Sequence, residues 1–106
     1  MFVFSGKYVI PGGVDPSTHL LRGLGAAPLA EDLAASTRAA VAGGTTTLVD
    51  LVLPERGESL LEAHAAWKTG VEESTCCDVV LSVAVPELTE ERLAEMETLA
   101  KETTRY

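Results

Sequence analysis

The sequence predicts an α/β fold of about three β–α units, an incomplete part of a larger parallel α/β domain. Three observations carry that expectation. Apolar runs of strand length alternate with segments of helical periodicity in the order β-α-β-α-β-α. Two of those runs are apolar almost without a break, as parallel strands covered on both faces are. The chain has 106 residues, whereas a closed eight-stranded barrel of this kind takes about 250.

The first strand is expected over Tyr8 to about Val14, interrupted by Pro11-Gly12-Gly13. The first helix is expected over Pro28 to Ala42. Glu31 and Asp32 in its early turns suit the positive end of the helix dipole, and Gly43-Gly44 stops it. The second strand, Thr45 to Leu53, reads "TTTLVDLVL" and is rich in β-branched residues. A second helix runs from Ser59 to about Glu73, with Leu60, Ala63, Trp67 and Val71 at helical spacing. The third strand, Asp78 to Val85, reads "DVVLSVAV" and is expected to be central and buried. The third helix spans Thr89 to about Thr103, with Thr89 as its N-cap and Leu88 and Leu93 as a hydrophobic staple. Its buried stripe is expected to be Leu93, Met96 and Ala100. Gly23-Leu24-Gly25 is the one flexible loop of note.

Right-handed crossovers between parallel strands follow from this order. Three such strands leave two apolar edges, and a piece of that kind seldom stands alone. Residues 1–106 are therefore read as the N-terminal part of a longer α/β domain.

Composition narrows the function classes. With 46% hydrophobic and 23% charged residues, the chain is globular in character. Sixteen acidic against eight basic residues give a net charge of −8. That balance disfavours binding to nucleic acid or to an anionic membrane, both of which need clustered Lys and Arg. No apolar run approaches the length of a membrane span, and the first residues make a poor signal peptide. Neither a GxGxxG nor a P-loop occurs. Cys76 and Cys77 are the only cysteines. Adjacent residues rarely satisfy disulfide geometry, so two unpaired thiols point to a reducing compartment. They are expected to be a buried structural pair at the entry of the third strand.

The stretch "VIPGGVDPSTHLL", Val9 to Leu21, carries the strongest chemical signal. Alternation at a strand end places Asp15, Ser17 and His19 on one side and Pro16 and Thr18 on the other. A His-x-His pair there would supply two imidazoles to one divalent ion. Ser17 occupies the first of those places, and a neutral hydroxyl is a poor zinc ligand. His19 is therefore either the remnant of a metal motif or an ordinary strand-end histidine. Asp50 interrupts the second strand and faces either the same mouth or an ordinary hydrogen-bond partner, since a buried carboxylate needs one. His64 lies near the border of the apolar stripe of the second helix and is read as structural.

Several motifs in order, "GKYVIPGGVDPSTHL", "STRAAVAGGTTTLVDLVLPE", "SLLEAHAAW", "CCD" and "AEMETLAKE", resemble the dihydropyrimidinase/hydantoinase branch of the amidohydrolases. The resemblance covers nearly the whole chain. It implies a (β/α)8 amidohydrolase barrel, with residues 1–8 at the end of an accessory β-domain, and assembly as a tetramer. Enzymes of the branch hydrolyse cyclic amides such as dihydrouracil at a two-zinc centre that uses Asp-x-His-x-His on the first strand. Here that motif reads Asp15-Pro16-Ser17-Thr18-His19, so His19 alone is carried over as a metal ligand. The Ser-Thr-His form is most similar to the vertebrate dihydropyrimidinase-related (collapsin response mediator) proteins, above all the divergent fifth member. That resemblance implies a non-catalytic, cytoplasmic scaffold of neuronal development. It forms homo- or hetero-tetramers, contacts tubulin and the cytoskeleton, and needs no cofactor. Asp50 departs from the Gly of that fifth member and matches the enzymes. The alternative reading is a zinc-dependent cyclic-amide hydrolase that tolerates Ser17.

Overall fold

The computed structural model describes residues 5–20 and 33–103. The Gly23-Leu24-Gly25 loop and Pro28 to Asp32 of the expected first helix lie outside them. Three parallel strands, β1 (Gly13–Thr18), β2 (Thr45–Val52) and β3 (Asp78–Val83), form one sheet in sequential order. Helices α1 (Leu33–Ala42), α2 (Leu60–Ser74) and α3 (Glu90–Thr103) follow them in turn. The expected α/β class and element order hold, and no described helix is long and apolar enough to cross a membrane.

The largest shift concerns β1. It was expected over Tyr8 to about Val14, but it begins at Gly13 and runs through Pro16 to Thr18. Gly12 lies against the Thr46 side chain, where a Cβ would overlap it. Pairing starts one residue later, with the Gly13 N–H donating to the Gly44 carbonyl at 2.8 Å. Gly44 itself has φ +94°, which a residue with a side chain adopts with strain, and its N–H caps α1 through the Val41 carbonyl at 2.9 Å. Proline inside β1 is tolerated because the β1–β2 register slips between Asp15 and Thr18. A residue without an N–H leaves no ladder bond unmade at such a slip.

The two faces of the sheet differ. Leu48, Asp50 and Val52 on β2 are buried, and they stand in register with Val79, Leu81 and Val83 on β3. Helix α2 packs on this face through Leu60, Ala63 and Val71, all buried. The opposite face carries Thr47, Val49 and Leu51, which are only half-buried. The expectation of β3 as a buried central strand concerns the whole barrel, of which these strands are a portion. Within the described sheet β3 is an edge, and Asp78, Val80 and Ser82 are exposed.

Ser59 caps α2 by accepting the Leu61 N–H at 3.2 Å. Glu95 of α3 reaches the same helix start, accepting the Ser59 hydroxyl at 2.6 Å and the Leu60 N–H at 3.1 Å. Arg92 donates to Glu95 at 2.8 Å. This clamp sets the rotation of α3, and half-buried Arg92, Glu95 and Leu99 form its inner stripe. The expected stripe of Leu93, Met96 and Ala100 is exposed instead. Thr89 does cap α3, accepting the Arg92 N–H at 3.2 Å. The expected staple is not buried, because Leu88 and Leu93 are both exposed.

Candidate functional site

The end of β1 meets β2 in a small polar cluster. Thr18 and Asp50 are register partners. Asp50 Oδ1 accepts the Thr18 hydroxyl at 2.9 Å and the Leu20 N–H at 2.8 Å. The Thr18 hydroxyl also lies 3.1 Å from the Val49 carbonyl. Asp50 is only 1% exposed, and a buried carboxylate without such donors would be strongly disfavoured. Its second oxygen, Oδ2, is buried with no hydrogen-bond partner. Of the two readings open for Asp50, the structure shows ordinary hydrogen bonds, on the helix-covered face it shares with Leu48 and Val52.

His19 follows directly after β1, flanked by the two residues that Asp50 holds. Its ring is half-buried, and Nδ1 is buried without a partner. Ser17 is exposed, and its N–H donates to Asp15 Oδ1 at 3.2 Å. The Asp15 carboxylate is thus turned onto the local backbone, as a short Asx turn. The register slip between Asp15 and Thr18 also corrects the simple alternation expected there. A slipped register breaks the strict period of two between Asp15 and Thr18.

The donor set can be tested against zinc. One imidazole, one carboxylate bonded to its own loop and one neutral hydroxyl offer a single strong nitrogen ligand. The buried His19 Nδ1 has no hydrogen-bond partner. Among the described residues, no group of three or more His, Cys, Asp or Glu is placed to hold a metal ion. By themselves these residues do not fit a zinc centre.

His64 sits half-buried on α2 and lines an open groove of about 430 Å³ with Lys68, Val71 and Leu81. The cysteines depart from expectation. Cys76 is exposed and Cys77 half-exposed, so the pair is not a buried one. The reason is that β3 starts at Asp78, leaving both thiols in the bend between α2 and the strand. Sequence reasoning missed Thr18 and Leu20 as partners of Asp50. The available signal was a lone carboxylate in an apolar strand, which demands donors from the neighbouring strand.

No family model matches the chain. Individual proteins do. The dihydropyrimidinase of Rattus norvegicus is 39% identical over 98 residues, 92% of this chain and 19% of that protein. Dihydropyrimidinase-related protein 5 of Mus musculus is 40% identical over 98 residues, 92% of this chain and 17% of that protein. The crystal structure of D-hydantoinase from Bacillus sp. AR9 superposes with a TM-score of 0.82 at 38% identity, covering 91% of this chain and 21% of that one. The chain thus spans about one-fifth of the length of the relatives it matches. Over about nine-tenths of its residues the chain is homologous to the dihydropyrimidinase/hydantoinase family, and its three β–α units match a portion of the hydantoinase barrel.

Proposed function

We propose that the chain is part of a dihydropyrimidinase-related protein that does not hydrolyse cyclic amides and acts as a cytoplasmic, oligomeric scaffold. One observation carries this reading: Ser17 stands where the resembled motif has its first imidazole, beside an Asp15 carboxylate committed to the Ser17 N–H. A hydrolytic zinc must polarise an amide carbonyl and lower the pKa of its bound water, which needs a firmly held ion. Losing outer-shell support alone costs about 10–100-fold in metal affinity or activity, and losing a direct ligand costs at least as much. No cofactor is needed in this reading. The partners are tetramer mates from the same family and cytoskeletal proteins such as tubulin, with no nucleic acid or membrane among them.

A second reading, a zinc-dependent cyclic-amide hydrolase, is favoured by the unused buried atoms beside the site. His19 Nδ1 and Asp50 Oδ2 both retain hydrogen-bonding capacity. The deciding experiment is metal analysis of the protein purified from its own source, with assays on dihydrouracil and hydantoin. The expected result is less than one zinc per chain and no turnover. Two tightly bound zinc ions per chain together with turnover would overturn the scaffold reading and establish the hydrolase.

A further inference from the structure

We propose that Cys76 and Cys77 form a vicinal dithiol that captures soft, thiophilic centres requiring two sulfurs, a trivalent arsenical being the probe of that class. The site lies in the bend between α2 and β3, at the N-terminal end of that strand. His19 follows the C-terminal end of β1, so the two lie toward opposite ends of a parallel sheet.

The bend is held in place. Buried Thr37 of α1 donates its hydroxyl to the Leu33 carbonyl at 2.9 Å and accepts the Cys76 N–H at 3.3 Å. The Cys76 sulfur lies 3.5 Å from the same hydroxyl. On the other side, Asp78 opens the β3 ladder opposite Thr47. The two thiols are therefore presented by an anchored turn, with Cys76 exposed and Cys77 half-exposed.

Geometry separates two outcomes for adjacent thiols. Consecutive Cα atoms stand about 3.8 Å apart, less than the roughly 4.4–6.8 Å that disulfides usually span. Direct oxidation to a disulfide is therefore strained. A bridging atom relieves this, because two bonds through a large centre replace one sulfur–sulfur bond. Soft thiolates are also the ligands that such centres prefer. Burial, then the neighbouring Cys76 and Asp78, raise the pKa of the Cys77 thiol. A raised pKa leaves a smaller thiolate fraction at Cys77, so the first sulfur–arsenic bond is expected at Cys76 and the second closes on Cys77.

The step with an arylarsine oxide balances without an oxidant. Two sulfur–hydrogen bonds and the arsenic–oxygen bond break, and two arsenic–sulfur bonds form. Both protons leave with the oxide oxygen as water, and arsenic remains trivalent. Closing the second bond is intramolecular, so the pair should hold the reagent at least about 100-fold more tightly than either thiol alone.

The test treats the unmutated protein with phenylarsine oxide and counts free thiols and mass. Peptide mapping confines the count to the segment that carries Cys76 and Cys77, the only cysteines of these 106 residues. The expected result is one arsenical on the segment that carries Cys76 and Cys77, no free thiol left in it, retention in excess 2-mercaptoethanol and release by 2,3-dimercaptopropanol. Cys76→Ser and Cys77→Ser should each lose that retention while their remaining thiol still reacts with a maleimide. Persistence of both free thiols in the unmutated protein, or equal retention by either single variant, would overturn the proposal. Neither outcome bears on whether the β1 motif binds zinc.

Discussion

Asp50 fastens the end of β1 to β2 through Thr18, whose hydroxyl it accepts at 2.9 Å from a position 1% exposed. The same oxygen takes the Leu20 N–H, so a single carboxylate fixes the chain on both sides of His19.

Asp50→Ala removes the acceptor and leaves the Leu20 N–H without its partner. An unsatisfied buried donor costs about 1–3 kcal/mol, equivalent to roughly 5- to 150-fold in an opening equilibrium. Hydrogen exchange at the Leu20 amide should quicken by that factor, while exchange in α2 changes little. Unchanged protection of Leu20 would show that the clamp contributes nothing.

The pH response of the α2–α3 contact follows from Glu95. The Ser59 hydroxyl, then Arg92, lower its pKa from the ordinary glutamate value; burial opposes them, and the Leu60 N–H adds a lesser lowering effect. A lowered folded-state pKa means that the contact stabilises above the unfolded value, about 4.3, and is lost as pH falls through the folded value. Protection of the Leu60 amide should accordingly fall on acidification below that range. Glu95→Gln should flatten the response. An equally steep acid loss in that variant would assign the effect to other carboxylates.

Gly12 meets Thr46 where a Cβ has no room. Gly12→Ala should force β1 away from β2 at its start, a cost of about 1–3 kcal/mol by the usual scale of overpacking. Thr46→Gly removes every atom of the clash and should recover most of that loss, read as a non-additive double-mutant cycle in thermal unfolding. Additive effects of the two substitutions would show that the close approach is relieved by other movements.

Both edges of the three-stranded sheet are unpaired among the described residues, and Val14 and Val80 are exposed on them. The isolated 106-residue chain should therefore self-associate or lack fixed packing. Sedimentation would reveal the association. A monomer that unfolds sharply, with equal calorimetric and van't Hoff enthalpies, would contradict this expectation.

What the sequence revealed and what it hid divide along a physical line. The β2 run announced itself because β-branched apolar residues in succession suit a parallel strand, and Gly43-Gly44 marked the end of α1. Ser59 and Thr89 sat close to the observed helix starts. The limits of β1 were hidden because Pro16 reads as a strand breaker unless a register slip on the partner strand is known. The rotation of α3 was hidden for a similar reason. Hydrophobic periodicity favoured Leu93 and Met96, but a charged clamp from Glu95 to another helix decided the outcome. The exposure of Cys76 depended on where β3 begins, to within two residues. At the candidate site, Ser17 two places before His19, where a His-x-His pair would need a second imidazole, was legible from residue order alone. The hold of Asp50 on Thr18 and Leu20 needed the strand register.

The common direction of the strands has an electrostatic consequence. β3 is 6 residues long, so the two rims of the sheet stand roughly 20 Å apart at about 3.3 Å per residue. Salt screens exposed charges beyond about 8–10 Å at physiological strength. A metalloid seated on Cys76 and Cys77, or a charge substituted there, would thus be almost invisible to the His19 imidazole. Chemistry at one rim can change without retuning the other.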